Sequence, residues 1–78
     1  MSILTINKSK LAEKVSFSKN KMTVYLQDAR ELTVPIEWFP KLRDADINQL
    51  KNWRLIGNGE GIHWEDLDED ISVERLLD

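Results

Sequence analysis

Cysteine is absent from the 78 residues, and the chain has a single histidine, two prolines and three glycines. Without cysteine there is neither a disulfide framework nor a thiolate metal site, and nothing points to an oxidising compartment. The scarcity of Pro and Gly, beside 41% hydrophobic and 32% charged residues, argues against long disorder and for a chain that folds. No apolar run is long enough to span a bilayer. The start, Met1-Ser-Ile-Leu-Thr-Ile-Asn-Lys8, lacks the basic opening and long apolar stretch of a secretion signal. A cytoplasmic protein without a membrane association is the expectation. Seventy-eight residues suit one domain, 1–78, with one small core and little room for a buried multi-residue active site.

Positive charge is also lacking, but only at one end. The net charge of −3 hides a division: residues 1–54 hold ten Lys/Arg and six Asp/Glu, whereas residues 55–78 hold one Arg and eight acids. The balances are therefore +4 and −7. Such an acidic segment either keeps a small domain dissolved or steers it toward a basic partner.

What is present is period-two patterning. Val15 and Phe17 alternate with polar residues, as do Met22, Val24 and Leu26, in the manner of half-buried strands. A two-residue loop at Lys19-Asn20 sets Phe17 opposite Met22 and Val15 opposite Val24, so both apolar faces coincide; Asn20 tolerates positive φ. A third strand, Glu31–Ile36, buries Leu32, Val34 and Ile36. A two-residue loop at Asp28-Ala29 would set the two apolar faces apart. The three-residue loop Gln27-Asp28-Ala29 pairs Leu26 with Arg30, Val24 with Leu32 and Met22 with Val34, which restores one face and puts Ala29 where a left-handed residue belongs. Pro35 cannot donate to a ladder, which makes this strand an edge. The Ile3-Leu4-Thr5-Ile6 segment reads as a further strand.

Beyond Trp38-Phe39-Pro40 the period changes. Asp46 with Gln49 forms a capping-box pattern, and Ile47, Leu50 and Trp53 follow on one helical face, so a helix over about 47–55 is expected to pack on the sheet and end near Gly57. Gly61-Ile-His-Trp64 reads as a short extended piece, and the glycines before it as a sharp chain reversal. Ser72 caps a short C-terminal helix presenting Val73, Leu76 and Leu77, with Asp68, Glu69 and Asp70 just ahead of its positive end. The expected fold is α+β: a three- to four-stranded antiparallel meander against one main helix, plus a short C-terminal helix.

Several chemistries find part of what they need. Asp66, Asp68 and Asp70 match the opening of a calcium loop, but its sixth position is Ile71 instead of Gly and its twelfth is Leu77 instead of Glu. His63 stands without the further ligands zinc or iron would require. No nucleophile motif accompanies His63 as a base, and Gly57-Asn-Gly-Glu-Gly61 lacks the Lys and the strand-to-helix setting of a phosphate loop. Trp38, Phe39, Trp53 and Trp64 read as core and not as base-stacking platforms, and the lysines at 8, 10, 14, 19 and 21 read as edge and turn residues. No catalytic, cofactor or metal-binding residue is assigned, and direct nucleic-acid binding is not expected.

The segments Leu26-Gln-Asp-Ala-Arg30, Val34-Pro-Ile-Glu-Trp-Phe-Pro-Lys-Leu42, Asn52-Trp-Arg-Leu-Ile-Gly57 and Gly61-Ile-His-Trp-Glu-Asp-Leu-Asp-Glu-Asp-Ile-Ser-Val73, with Leu76-Leu77, resemble the bacterial family of domain of unknown function 2442. The likeness covers about residues 15–77. Ala29 stands where the family usually has Gly, and Lys41 where it has Arg. The resemblance implies a small α+β domain with a meander and no established enzymatic activity. Its members are often encoded beside suspected toxins, and some join a helix-turn-helix, which is not expected here. The expectation is a non-catalytic interaction module, an antitoxin-like partner of a small basic toxin. The candidate contact residues are His63, Glu65, Asp66, Asp68, Glu69, Asp70 and Arg30. An acidic regulator that occupies the nucleic-acid site of another protein is the alternative; a metal-dependent enzyme is the least favoured. A homodimer through an edge strand is a further expectation.

Overall fold

The computed structural model describes residues 8–77; the strand expected at Ile3-Leu4-Thr5-Ile6 lies outside them. The first sheet follows the sequence closely. Strands β1 (Ala12–Ser18), β2 (Lys21–Leu26) and β3 (Glu31–Pro35) form an antiparallel sheet with β2 central. Phe17 faces Met22 and Val15 faces Val24, while Met22 faces Val34 and Val24 faces Leu32. Lys19 and Asn20 both take positive φ, 44° and 66°, as a turn matched to the right-handed twist of a hairpin requires. At the second turn the Leu26 N–H donates to the Arg30 carbonyl at 2.8 Å, and Ala29 adopts φ 77°. The three-residue loop is therefore the one formed. Val15, Met22, Val24, Leu26 and Val34 are buried on one face, and the other carries Ser16, Thr23, Tyr25 and Thr33.

The second half departs from the expected single helix. After β3 a 3-10 turn (Ile36–Trp38) leads to helix α1 (Pro40–Arg43), where Pro occupies the first turn and Leu42 is fully buried. Helix α2 spans only Ile47–Lys51. Its capping box forms as expected: the Gln49 N–H donates to Asp46 Oδ1 at 2.8 Å, and the Asp46 N–H to Gln49 Oε1 at 3.1 Å. Asn52 then leaves helical geometry at φ −90°, ψ 57°, and Trp53 begins strand β4 (Trp53–Ile56) instead of continuing the helix. The reason is partner availability. As a strand, β4 pairs with β5 (Gly61–Trp64) and sets Leu55 beside Ile62 on the core side. As a helix, the same segment would leave β5 unpaired on that edge.

A second 3-10 turn (Glu65–Leu67) and the left-handed Asp68, φ 51°, reverse the chain into β6 (Glu69–Ser72), which completes a second antiparallel sheet of order β4-β5-β6. Of the three acids expected just ahead of the C-terminal helix, Asp68 lies in the turn and Glu69 and Asp70 form a strand. Helix α3 (Val73–Leu77) follows, with the Arg75 N–H reaching Ser72 Oγ at 3.4 Å. Among the described residues the fold is α+β with two three-stranded sheets and three short helices, not one meander under one main helix.

One apolar cluster joins the sheets. Ile62, Trp64 and Ile71 share it with Met22, Val24, Leu26, Leu42, Leu50 and Val73. Trp64 is fully buried, stands edge-on to Phe17 with ring centroids 6.3 Å apart, and donates its indole N–H to the Leu50 carbonyl at 3.0 Å. At the other end the Ala12 N–H donates to the Gly59 carbonyl at 2.7 Å, and the Gln27 side chain donates to the Asn58 carbonyl at 2.9 Å. Gly59 sits at φ 112° in the β4–β5 turn, where a Cβ would come within 2.3 Å of the Ala12 carbonyl oxygen. The chain reversal read from the glycines is thus also the seam between the sheets. Three aromatic and aliphatic expectations fail: Trp38 is 64% exposed and Ile47 52%, and Trp53 lies half-buried on a strand.

Candidate functional site

Alternation along the second sheet decides what its outer face carries. Ile62 and Trp64 point inward, so Gly61 and His63 point out, and the register aligns Arg54, His63 and Asp70 in one row across all three strands. Glu65, the next outward position past β5, closes on the same group. His63 Nδ1 bonds Asp70 Oδ1, Nε2 lies 3.3 Å from Glu65 Oε1, and Arg54 Nη2 lies 3.6 Å from that same oxygen. The Asp70 hydrogen bond, helped by both carboxylates and opposed by partial desolvation and by Arg54, raises the His63 pKa above its ordinary value. Both ring nitrogens thus face carboxylates, an arrangement that favours the protonated imidazole.

The remaining candidates separate. Asp66 accepts from Asn52 Nδ2 at 3.1 Å, and Asp68 offers its carbonyl to Lys41 Nζ at 3.1 Å, so the three aspartates that imitate a calcium loop serve different partners. Among the described residues no three His, Cys, Asp or Glu side chains converge to hold a metal ion. Glu69 lies half-buried on the inward side of β6. Arg30 belongs to a different cluster: its Nε donates to Asp28 Oδ2 at 2.8 Å and its Nη2 to the Ser9 carbonyl at 3.1 Å. Asp28 also accepts from the Ser9 N–H, the main cause of its lowered pKa. Arg30 therefore ties down the β2–β3 loop.

Sequence reasoning missed Arg54 and Trp38. Arg54 was detectable only as the polar member of Trp53-Arg-Leu-Ile56. Trp38 was assigned to the core because it follows a buried strand. With Phe39, Ile71 and Leu76 it instead lines a cleft of about 320 Å³ that opens between the 3-10 turn, β6 and α3, with Asp70, Ser72 and Arg75 on its rim. A shallower depression lined by Ile56, Glu60 and Gly61 meets the other side of Asp70, Ile71 and Ser72. Strand β6 is thus flanked by apolar hollows.

The family model described as protein of unknown function (DUF2442) matches residues 12–78. The chain belongs to this family. A crystal structure of a protein of unknown function from Rhodospirillum rubrum ATCC 11170, at 2.75 Å resolution, is similar to it with 29% identity and a TM-score of 0.73. That likeness covers 86% of this chain and 83% of the other. No curated protein matches. The match to DUF2442 takes in both sheets, so the charged row and the cleft lie within the region that defines membership. No helix among the described residues is long and apolar enough to cross a membrane.

Proposed function

We propose that the protein is a non-catalytic, cytoplasmic interaction module that binds a basic partner protein through its second sheet, in the manner of an antitoxin for a small basic toxin. The observation that carries this reading is the exposed Trp38 beside the acidic strand β6. A large aromatic left in water next to carboxylates has the composition of an interface centre with a charged surround. The −7 balance of residues 55–78 supports a basic partner, because complementary charge raises the association rate and disfavours wrong partners.

The test is co-expression of the tagged full chain with the product of the adjacent gene, followed by size-exclusion chromatography at low and high salt. A stoichiometric complex that weakens as salt rises is the expected result. If the adjacent product stays separate, and recovery from the native host yields no basic protein in stoichiometric amount, the reading falls.

A further inference from the structure

Strand β6 is the edge of its sheet: among the described residues only β5 pairs with it. The register tells which of its backbone groups are free. The Val73 N–H donates to the Glu60 carbonyl at 3.1 Å, so Glu60–Val73 is a hydrogen-bonded pair. Two residues along, Ile62–Ile71 and Trp64–Glu69 repeat it, and Gly61–Ser72 and His63–Asp70 are the intervening non-bonded pairs. The N–H and C=O groups of Asp70 and the N–H of Ser72 consequently point away from β5, toward the cleft walled by Trp38 and Phe39, while the Ser72 carbonyl, at the N-cap, belongs to the first turn of α3. The close spacing of a non-bonded pair also accounts for the direct contact of His63 with Asp70.

We propose that this edge takes up an extended segment of the partner as a fourth strand of the second sheet. The segment alternates apolar and basic residues. Main-chain bonds form with Asp70 and Ser72, while the two faces of β6 impose the alternation. On the inward face the new strand lies beside Ile71, and its apolar side chains enter the cleft among Trp38, Phe39 and Leu76. On the outward face it lies beside Asp70, whose side chain is 67% exposed and bonds His63 through Oδ1, leaving Oδ2 for a lysine or arginine. Glu60 and Glu65 extend the acidic surface on that side. Arg75 on the rim of the cleft, Lys41 on the Asp68 carbonyl, and His63 and Arg54 in the row that ends at Asp70 are the basic groups on this side, against seven carboxylates from Glu60 to Glu74. This proposal rests on the interaction reading above and specifies where and how that interaction occurs.

The probe is a capped hexapeptide of alternating Lys and Val, with an alternating Glu and Val peptide as control, each titrated into the full chain. Expected are a shift in tryptophan fluorescence that is lost in Trp38→Ala, protection of the Asp70 and Ser72 amides from exchange, and loss of affinity as salt rises from about 0.05 M to about 0.5 M; the Glu peptide should not bind. Ser72→Pro removes one edge donor, and Trp38→Ala removes one wall of the cleft. Each should weaken binding about tenfold or more, as loss of a central interface anchor does. Because Ser72 also caps α3, Trp38→Ala provides the readout that does not depend on that cap. Absence of binding, or protection at the β3 edge instead, overturns the proposal. So does a dimer of the free protein that disappears in Ser72→Pro, or edge protection in the free monomer that disappears when residues 1–7 are deleted. A basic partner that co-purifies equally well with Ser72→Pro and Trp38→Ala would overturn the edge assignment while leaving the interaction reading in place.

Discussion

Both sheets have three antiparallel strands, yet the first is assembled from its own turns and the second from its neighbours. Strands β1 and β2, of seven and six residues, are joined by a two-residue turn, and β3 follows after a three-residue one. On the outer face of this sheet the Thr23 and Thr33 hydroxyls lie 2.9 Å apart, Ser16 donates to the Tyr25 hydroxyl at 3.3 Å, and Lys14 Nζ lies 4.8 Å from the centre of the Tyr25 ring. All three strands of the second sheet have four residues. Its outer face is a row of charges, and exposed ion pairs contribute little to stability. Burial of Ile62, Trp64 and Ile71 against the first sheet must therefore hold it, since each such side chain contributes about 2 kcal/mol. The charged row thus contributes little to holding the fold.

The largest expected effect comes from breaking the seam. Gly59→Ala places a methyl against the Ala12 backbone at a φ that side chains rarely adopt, and should cost about 3 kcal/mol, read as a lower urea midpoint. Trp64→Phe tests the dependence of the second sheet on the core. It leaves the Leu50 carbonyl unpaired and a small void, at about 2 kcal/mol, and exchange should accelerate in β4–β6 more than in β1–β3. A positive change belongs to the first sheet: Ala29→Gly relieves positive φ and should stabilise by about 1 kcal/mol, seen as a higher Tm.

The charged row gives the smallest effect, with a definite sign. The folded-state pKa of His63 is raised, so its contribution is fully present below the unfolded value near 6.5 and is lost as pH rises through the folded value. Stability should therefore fall modestly on going from mildly acidic to mildly alkaline pH, and His63→Gln should flatten that slope in a urea series. An unchanged slope would mean that the imidazole is not held by Asp70 and Glu65.

The same contrast explains what was legible beforehand. In the first sheet the alternation of Val15, Phe17, Met22, Val24 and Leu26 is long enough to fix register, and register alone determines the loop at Ala29. Strand β4 was hidden because Ile47, Leu50 and Trp53 fall at helical spacing behind a genuine capping box; pairing with β5 overrode that local signal. Strand β6 offers one buried residue, Ile71, among acids that also suit a helix N-terminus, so no period was visible. Trp38 was misplaced because Pro35 ends the ladder and the 3-10 turn then rotates the chain, burying Ile36 and turning Trp38 outward. His63, Glu65 and Asp70 were among the candidates, but their convergence with Arg54 depends on a strand the sequence disguised.

The most direct test of the account is amide exchange at single-residue resolution on the full chain, alone and in complex with its co-purified basic partner. Protection gained at Asp70 and Ser72, with the β3 edge unchanged, is the result predicted. Exchange at those two amides that is the same in both states would contradict it.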